Sequence, residues 1–315
     1  MSDSALPHAA APQAWLPTIL RRLWGRSDRA LPPAAGPDRR GAAAESPHPP
    51  GDRQRAKPGF VSLVGAGPGS ADLITLRGLE RLQAAEIVFY DRLVDPALLN
   101  HAPTEAECIY VGKAPGAHAW TQDRINAALV AAAAAGRRVV RLKCGDPGVF
   151  ARGAEEAAAL DAAGLPWEIV PGVTAAAAAA AAAGSFLTVR GKTDALVLTT
   201  GRLAECPALD LQDAAPDWAA FLRPGTTLAI YMGVATAGRL SGRLLEQGLE
   251  PTLPVEIVHA AGTPGEAVFR ATLGTLEETV RSEGVRNPAM ILIRRPKTVS
   301  AHATAEQNAV FAMPA

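Results

Sequence analysis

From Phe60 onward, short runs of β-branched and apolar residues alternate with stretches in which apolar residues recur at helical spacing. The first such pair is a strand at residues 60–64 and a helix at residues 73–84. Strands separated by helices are joined by crossovers, and crossover connections run neighbouring strands in the same direction. This alternation predicts an α/β protein whose first half contains a largely parallel sheet.

The same alternation continues through both halves of the chain. Further strands are predicted in the first half at residues 87–90, 108–111, 139–142 and 167–170, and helices at 122–135 and 152–163. A second set of strands is predicted at 196–199, 227–232, 255–260, 268–272 and 289–293, with helices at 218–222, 235–247 and 275–283.

Nine consecutive alanines at residues 175–183 predict a helix, because alanine has the highest intrinsic helix propensity. Thr174 precedes the run and is expected to be its N-cap. A helix without large side chains permits close approach either of another structural element or of a ligand, and composition does not separate these alternatives.

Composition divides the chain into four segments. Residues 1–57 contain 12 Ala and 9 Pro with little apolar periodicity, which predicts a disordered tail with a possible short helix between Trp15 and Trp24. Two α/β domains are expected at residues 58–184 and 185–295, with a cleft between them. A flexible tail is expected at residues 296–315.

Bulk charge and cysteine content exclude several classes of protein. Lys+Arg and Asp+Glu are equal at 31, so no general phosphate-binding field is present and nucleic acid is not expected as a partner. The three cysteines, Cys108, Cys144 and Cys206, lack a metal-ligand spacing, so no metal site is predicted.

No stretch is long and apolar enough for a membrane helix, and the N-terminus lacks a signal pattern. We therefore expect a cytoplasmic protein without a membrane partner.

A glycine-rich turn, Gly65-Ala-Gly-Pro-Gly69, directly follows the first predicted strand. Glycines at such a turn allow a ligand to approach the backbone closely. The Rossmann dinucleotide fingerprint requires a Gly or Ala three residues after the second glycine, where this chain has Ser70, and Pro68 interrupts the turn. This spacing argues against the alternative of an NAD-dependent dehydrogenase.

Seven blocks of sequence carry a more specific signal together than this turn does alone. They occur in the order GAGPG (65–69), YDRLV (90–94), YVGK (110–113), GDP (145–147), RGAEE (152–156), VPGVTA (170–175) and YMG (231–233). The set resembles the tetrapyrrole methyltransferase family over roughly residues 60–293. The YDRLV, YVGK and RGAEE blocks are similar to its uroporphyrinogen-III C-methyltransferase branch.

The resemblance implies a two-domain tetrapyrrole methyltransferase fold, distinct from the Rossmann fold, with S-adenosylmethionine held in the interdomain cleft. It also implies C-methylation of uroporphyrinogen III at C-2 and C-7, which gives precorrin-2 by way of precorrin-1 for sirohaem and cobalamin biosynthesis. A homodimer without a metal cofactor is expected. We expect methyltransferase activity alone, because no dehydrogenase or ferrochelatase pattern accompanies these blocks. The alternatives are a methyltransferase for a later precorrin intermediate and a non-catalytic tetrapyrrole-binding descendant of the enzyme.

Residues expected to bind the cofactor follow from the matching blocks. Most are small, so they leave space and expose backbone groups to a bound ligand. The expected cofactor-binding residues are Pro68, Cys144, Gly145, Asp146, Val149, Thr174, Ala175, Met232, Ala261 and Gly262.

Residues expected to act on the substrate are mostly charged. The resemblance makes Asp91 the proton acceptor, Lys113 the proton donor and Arg152 a further catalytic residue. Arginine suits a substrate with many carboxylates, because its planar guanidinium binds a carboxylate with two parallel hydrogen bonds. The expected substrate-binding residues are Arg92, Arg190 and Glu155, the last of which would orient Arg152 through an i,i+3 contact.

The chain departs from the family pattern at several of these positions. Cys144 stands where many members have Gly, Gly148 where a Phe is common, and Val189 where a His precedes Arg190. Residues 114–118 lack an Arg and a His that are often found there. These differences fit either an ordinary subgroup or a shifted substrate preference.

Overall fold

The structure, a computed structural model, describes residues 59–112, 120–202 and 216–297. The predicted tail at residues 1–57, with its helix between Trp15 and Trp24, lies outside these residues, as does nearly all of the predicted tail at residues 296–315. Within the described parts the chain forms two five-stranded sheets. No helix in these parts is long and apolar enough to cross a membrane.

The first sheet is parallel throughout, as predicted, with the strand order β3-β2-β4-β1-β5. Central strands β1 and β4 are buried except at their first residues. The strands are β1 (Phe60–Gly65), β2 (Ile87–Tyr90), β3 (Glu107–Tyr110), β4 (Arg138–Lys143) and β5 (Trp167–Val170). The α-helices of this half are α1 (Leu76–Gln83), α2 (Gln122–Ala134) and α3 (Gly153–Ala162), and short 3-10 helices span Ala71–Leu73 and Pro96–His101.

The helix predicted at residues 73–84 begins later than expected. The Thr75 side chain accepts a hydrogen bond from the Gly78 N–H at 3.1 Å, so Thr75 is the N-cap of α1. The preceding residues form the separate 3-10 turn Ala71–Leu73. An N-cap inside an apolar-periodic stretch therefore divides one predicted helix into two elements.

The second sheet is mixed and has the order β6-β7-β10-β8-β9. Only β6 and β7 pair in parallel, while the other three pairs are antiparallel. The connection between β8 and β9 is too short for a crossover and makes a hairpin instead. The elements are β6 (Ala195–Thr200), α5 (Trp218–Phe221), β7 (Thr226–Tyr231), α6 (Ala237–Glu246), β8 (Pro254–His259), β9 (Ala267–Thr272), α7 (Leu276–Ser282) and β10 (Ala289–Arg295), with 3-10 turns at Val234–Thr236 and Leu273–Thr275.

The alanine helix α4 (Ala175–Ala182) follows the first sheet in sequence but packs on the second. Its buried alanines share a core cluster with Ala229 of β7 and Leu292 of β10. Close packing against another element, one of the two alternatives left open by composition, is therefore present. The domain boundary predicted at residue 184 stays a prediction, and α4 shows that residues before it already belong to the core of the second sheet.

An ion pair ties the end of α4 to the second sheet. Arg294 Nη1 lies 2.6 Å from Glu256 Oε2, and Arg294 Nη2 donates to Ser185 Oγ at 2.8 Å. Ser185 Oγ also donates to Glu256 Oε2 at 2.9 Å. This contact fixes the position of α4, whose N-terminus faces the site described next.

Candidate active site at the carboxyl ends of the strands

Three loops that follow β1, β4 and β5 meet in close backbone contact. The Gly145 N–H donates to the Gly67 carbonyl at 2.8 Å, and the Gly67 N–H donates to the Gly145 carbonyl at 3.3 Å. A Cβ on Gly65 would lie 2.6 Å from the Cα of Gly172, and one on Gly172 would lie 2.3 Å from the Gly145 carbonyl oxygen. A side chain at Gly65 or Gly172 would therefore push the loops apart.

The Asp146 carboxylate forms hydrogen bonds that connect two of these loops. Oδ1 accepts the Gly148 N–H at 2.7 Å within its own loop, and Oδ2 accepts the Gly172 N–H at 2.9 Å from the loop after β5. Asp146, predicted from sequence as a cofactor residue, thus shapes the site through its backbone partners.

The loop after β8 reaches the glycine-rich turn of the first sheet. A Cβ on Gly69 would lie 2.6 Å from the Ala261 carbonyl oxygen and 2.7 Å from the Gly262 carbonyl carbon. Pro68, next to Gly69, is thereby brought close to Ala261 and Gly262. Ala260, with φ 46°, holds a backbone conformation that residues other than glycine rarely adopt. Three predicted cofactor residues from distant parts of the sequence therefore meet here.

Tyr231, at the end of β7, contacts the N-terminus of α4. Its hydroxyl oxygen lies 2.5 Å from Thr174 Oγ1 and accepts the Ala176 N–H at 3.3 Å. Thr174 occupies the predicted N-cap position, but its side chain makes no capping bond, because the Tyr231 hydroxyl takes that role. The Phe150 ring lies 4.8 Å from the Tyr231 ring, and Met232 follows with φ 55° and a partly exposed side chain.

These contacts connect the loops after β1, β4, β5, β7 and β8, and the predicted cofactor residues lie on them. Val149 packs against the cluster that includes α4. Burial raises the pKa of the Cys144 thiol to about 11, with a further contribution from the charge of Asp91, so this thiol is neutral at ordinary pH. The residues gathered on these loops are Pro68, Cys144, Gly145, Asp146, Val149, Thr174, Ala175, Met232, Ala261 and Gly262.

A buried cluster of charges lies beneath Asp91. Arg141 Nη2 donates to Asp91 Oδ1 at 2.6 Å, and Arg141 Nε donates to Glu156 Oε1 at 2.9 Å. Lys143 Nζ donates to both Glu156 oxygens, at 2.9 and 2.8 Å. The exposed fractions of the Arg141, Lys143 and Glu156 side chains are 2%, 2% and 0%, whereas that of Asp91 is 31%. Burial lowers the pKa of the Lys143 ammonium, and the charge of Arg141 lowers it further.

Sequence reasoning missed Arg141, Lys143 and Glu156 as residues of the site. A signal was available, because strands buried on both faces of a parallel sheet are normally apolar throughout. Two of the three cations in β4, a central strand, are buried and require buried partners, and a carboxylate on a neighbouring helix is the simplest one.

Arg152 and Glu155 form the predicted i,i+3 contact. Arg152 Nε donates to Glu155 Oε1 at 2.7 Å, and Nη2 donates to Oε2 at 2.6 Å. These hydrogen bonds raise the pKa of Arg152 and lower the pKa of Glu155. About half of each side chain is exposed. Arg152 has φ 58° and directly precedes α3, and the guanidinium that it pairs with Glu155 lies at the surface.

The other predicted substrate residues are not joined to this pair. The side chains of Arg92 and Arg190 are exposed, and neither forms a hydrogen bond or ion pair with any residue that the structure describes. Arg92 is close enough to the β4 loop to influence the pKa of Cys144. Lys113, the predicted proton donor, lies outside the described residues.

A comparison with protein families decides what this arrangement is. The family model of the tetrapyrrole (corrin/porphyrin) methylases matches residues 61–277, which run from β1 to the start of α7 and include every strand of the two sheets except β10. The chain belongs to this family. The fold class predicted from the sequence blocks is thereby confirmed.

Similar proteins of known name agree with this membership. A siroheme synthase from Gluconacetobacter diazotrophicus is 44% identical over 235 residues, which are 75% of this chain and 49% of that protein. A siroheme synthase from Methylococcus capsulatus is 41% identical over 241 residues, which are 76% of this chain and 50% of that protein. The chain thus spans about half the length of the curated relatives it matches.

Solved structures share the fold over most of their length. A uroporphyrin-III C-methyl transferase from Thermus thermophilus, complexed with S-adenyl homocysteine, is 38% identical with a TM-score of 0.63, covering 75% of this chain and 92% of that chain. A cobalt precorrin-4 methyltransferase is 30% identical with a TM-score of 0.63, covering 75% of this chain and 94% of that chain.

Proposed function

We propose that this chain is an S-adenosylmethionine-dependent methyltransferase that converts uroporphyrinogen III to precorrin-2 by way of precorrin-1, adding methyl groups at C-2 and C-7. The observation that carries the proposal is the 38% identity to the Thermus thermophilus enzyme across 92% of that chain. The lower identity of 30% to a methyltransferase for a later corrin intermediate favours the earlier substrate.

The glycine loops fit the methyl donor. Because Gly65 and Gly172 carry no side chains, the backbones of three loops can pack directly against one another. At Gly145, in contrast, an added Cβ would make only ordinary van der Waals contacts, at 3.9 Å to Ala175 N and 4.0 Å to the Val173 carbonyl oxygen, and glycine is favoured there by a φ of 73°. Small residues on these loops would let the backbone approach an adenosyl and amino-acid ligand closely. Bound S-adenosylmethionine supplies an electrophilic methyl group.

Cys144 is compatible with a methyl donor despite replacing the family's glycine. A thiolate is a strong nucleophile, whereas a neutral thiol is a poor one. Since burial raises the pKa of Cys144 to about 11, the side chain remains a thiol and does not compete for the methyl group.

The charged residues would bind and deprotonate the substrate. The guanidinium groups of Arg92, Arg152 and Arg190 would bind carboxylates of the tetrapyrrole, with Glu155 holding the Arg152 fork in place. Adding a methyl group to a ring carbon requires the loss of a proton from the macrocycle. We assign this proton to the Asp91 carboxylate, and Lys113 would serve as the proton donor. We expect the enzyme to act without a metal, as a homodimer in the cytoplasm, for sirohaem or cobalamin synthesis.

A labelling experiment tests the proposal. Purified protein is incubated with methyl-labelled S-adenosylmethionine and either uroporphyrinogen III or a precorrin-4 preparation, and label per tetrapyrrole is counted by mass spectrometry. We expect up to two labelled methyl groups on uroporphyrinogen III and none on precorrin-4. Transfer to precorrin-4 alone would move the assignment to the later step, and transfer to neither would reject it.

A further inference from the structure

The Arg141 guanidinium makes two hydrogen bonds in addition to the one that it donates to Asp91. Its Nε donates to Glu156 at 2.9 Å, its Nη1 donates to the Leu142 carbonyl at 3.2 Å, and its Nη2 donates to Asp91 Oδ1 at 2.6 Å. The side chain has no freedom to rotate without breaking several of these bonds. The direction of its hydrogen bond to Asp91 is therefore set by the core of the first sheet.

The cluster is balanced in charge beneath the surface. Two cations, Arg141 and Lys143, face two carboxylates, Glu156 and Asp91. Burying a guanidinium costs free energy unless it is paired with a carboxylate. Glu156 cannot balance both buried cations by itself, because it accepts hydrogen bonds from Lys143 as well as from Arg141. Gln122 Nε2 adds a longer contact of 3.4 Å to Glu156 Oε1. The second carboxylate that the cations require is Asp91, whose side chain alone among the four is substantially exposed.

We propose that Arg141 is a positioning residue for proton removal: by binding Oδ1 it fixes the orientation of the Asp91 side chain and leaves Oδ2 to accept the proton from the macrocycle. This inference rests on the proposed function. Oδ2 of Asp91 accepts no hydrogen bond from any residue in the described parts of the chain. In the step, a C–H bond of the macrocycle breaks, its electron pair stays in the ring system, and the proton ends on Oδ2.

Arg141→Met tests the inference, because it removes the charge and leaves Lys143 paired with Glu156. We expect kcat for uroporphyrinogen III to fall at least tenfold and KM to change little, because the substrate would still bind while the Asp91 side chain is no longer held in place. Arg141→Lys keeps the charge but loses the fork, so it should also lower kcat, by a smaller factor. This variant gives the test if the Met variant does not fold.

Arg294→Met is a matched control, because Arg294 also pairs with a shielded carboxylate at 2.6 Å, in the second sheet. It should lower the melting temperature. A readout without substrate separates this inference from the proposed function: the carbon NMR signal of the Asp91 carboxyl, assigned with Asp91→Asn, should change its chemical shift in Arg141→Met and not in Arg294→Met. If both kcat and the Asp91 signal of Arg141→Met stay as they are in the parent, Arg141 is structural only and the inference is wrong.

Discussion

The hydroxyl of Thr174 lies 2.5 Å from the hydroxyl of Tyr231 and thereby connects the loop after β5 to the end of β7. Tyr231 also accepts the Ala176 N–H, so one phenol satisfies two polar groups at the N-terminus of α4. The residue after it, Met232, belongs to the proposed cofactor site. This contact links packing between the two sheets to the geometry of the methyl-donor site.

Tyr231→Phe should weaken both stability and donor binding. The variant leaves the Thr174 hydroxyl and the Ala176 N–H without their partner, which costs about 1–3 kcal/mol for buried groups. We expect a lower melting temperature and a several-fold higher dissociation constant for S-adenosylmethionine in calorimetry. Tyr110→Phe is the control, because the Tyr110 hydroxyl has no hydrogen bond to a described residue, and its melting temperature should not change. If Tyr231→Phe binds S-adenosylmethionine as tightly as the parent protein, this contact does not contribute to the cofactor site.

Gly172→Ala should disrupt the junction of the glycine loops. Its Cβ would lie 2.3 Å from the Gly145 carbonyl oxygen, so the loops after β4 and β5 would have to separate. We expect a large loss of S-adenosylmethionine binding, measured by calorimetry. Gly242→Ala in α6 is the matched control, because its Cβ would meet nothing within 4 Å. That variant should keep its donor affinity and gain up to about 1 kcal/mol of stability from helix propensity.

Arg152→Lys should impair catalysis although the charge is kept. Lysine cannot reproduce the planar fork that Arg152 presents with Glu155. We expect at least a tenfold loss in kcat/KM for uroporphyrinogen III, about 1.4 kcal/mol of transition-state stabilisation, with little change in donor affinity. Arg281→Lys is the control, since Arg281 forms an exposed i,i+3 pair with Glu278 on α7. A parental rate in Arg152→Lys would show that Arg152 is only a surface cation.

Cys144 should make stability depend on pH in the alkaline range. The pKa of its thiol is raised from 9.0 to about 11 in the folded protein, so the unfolded chain loses this proton first. The stabilisation is complete below pH 9 and is lost as the pH rises towards 11. Urea unfolding should therefore show a smaller loss of stability over this range in Cys144→Ala than in the parent. Cys108→Ala, at an exposed thiol, is the control and should follow the parent more closely.

Local sequence patterns predicted the elements of the fold well. The strand predicted at residues 87–90 coincides with β2, and the one at 167–170 coincides with β5. Alternation of strands and helices correctly predicted the parallel first sheet. Both features depend on residues that are close together in sequence, which is why they can be read from spacing and propensity.

The features that were missed depend on contacts between distant residues. Thr174 is of a residue type that favours the N-cap and occupies that position, but the oxygen that accepts the helix N–H comes from Tyr231, 57 positions away. The packing of α4 on the second sheet depends on residues of β7 and β10 that come later in the chain. The position of Arg141 in a predicted parallel strand indicates that it needs a buried partner, but only the folded sheet shows that this partner is Glu156. Local periodicity in the sequence cannot reveal these contacts, because the residues that make them are far apart in the chain.

The measurement that tests the central claim most directly is the position of the transferred methyl groups. The protein is incubated with uroporphyrinogen III and S-adenosylmethionine carrying a carbon-13 methyl group, and the product is analysed by NMR. We predict labelled methyl groups on ring carbons C-2 and C-7, with a singly labelled intermediate at early times. Label on another carbon, on nitrogen or on a carboxylate oxygen would contradict the proposed function, as would a tetrapyrrole that carries no label.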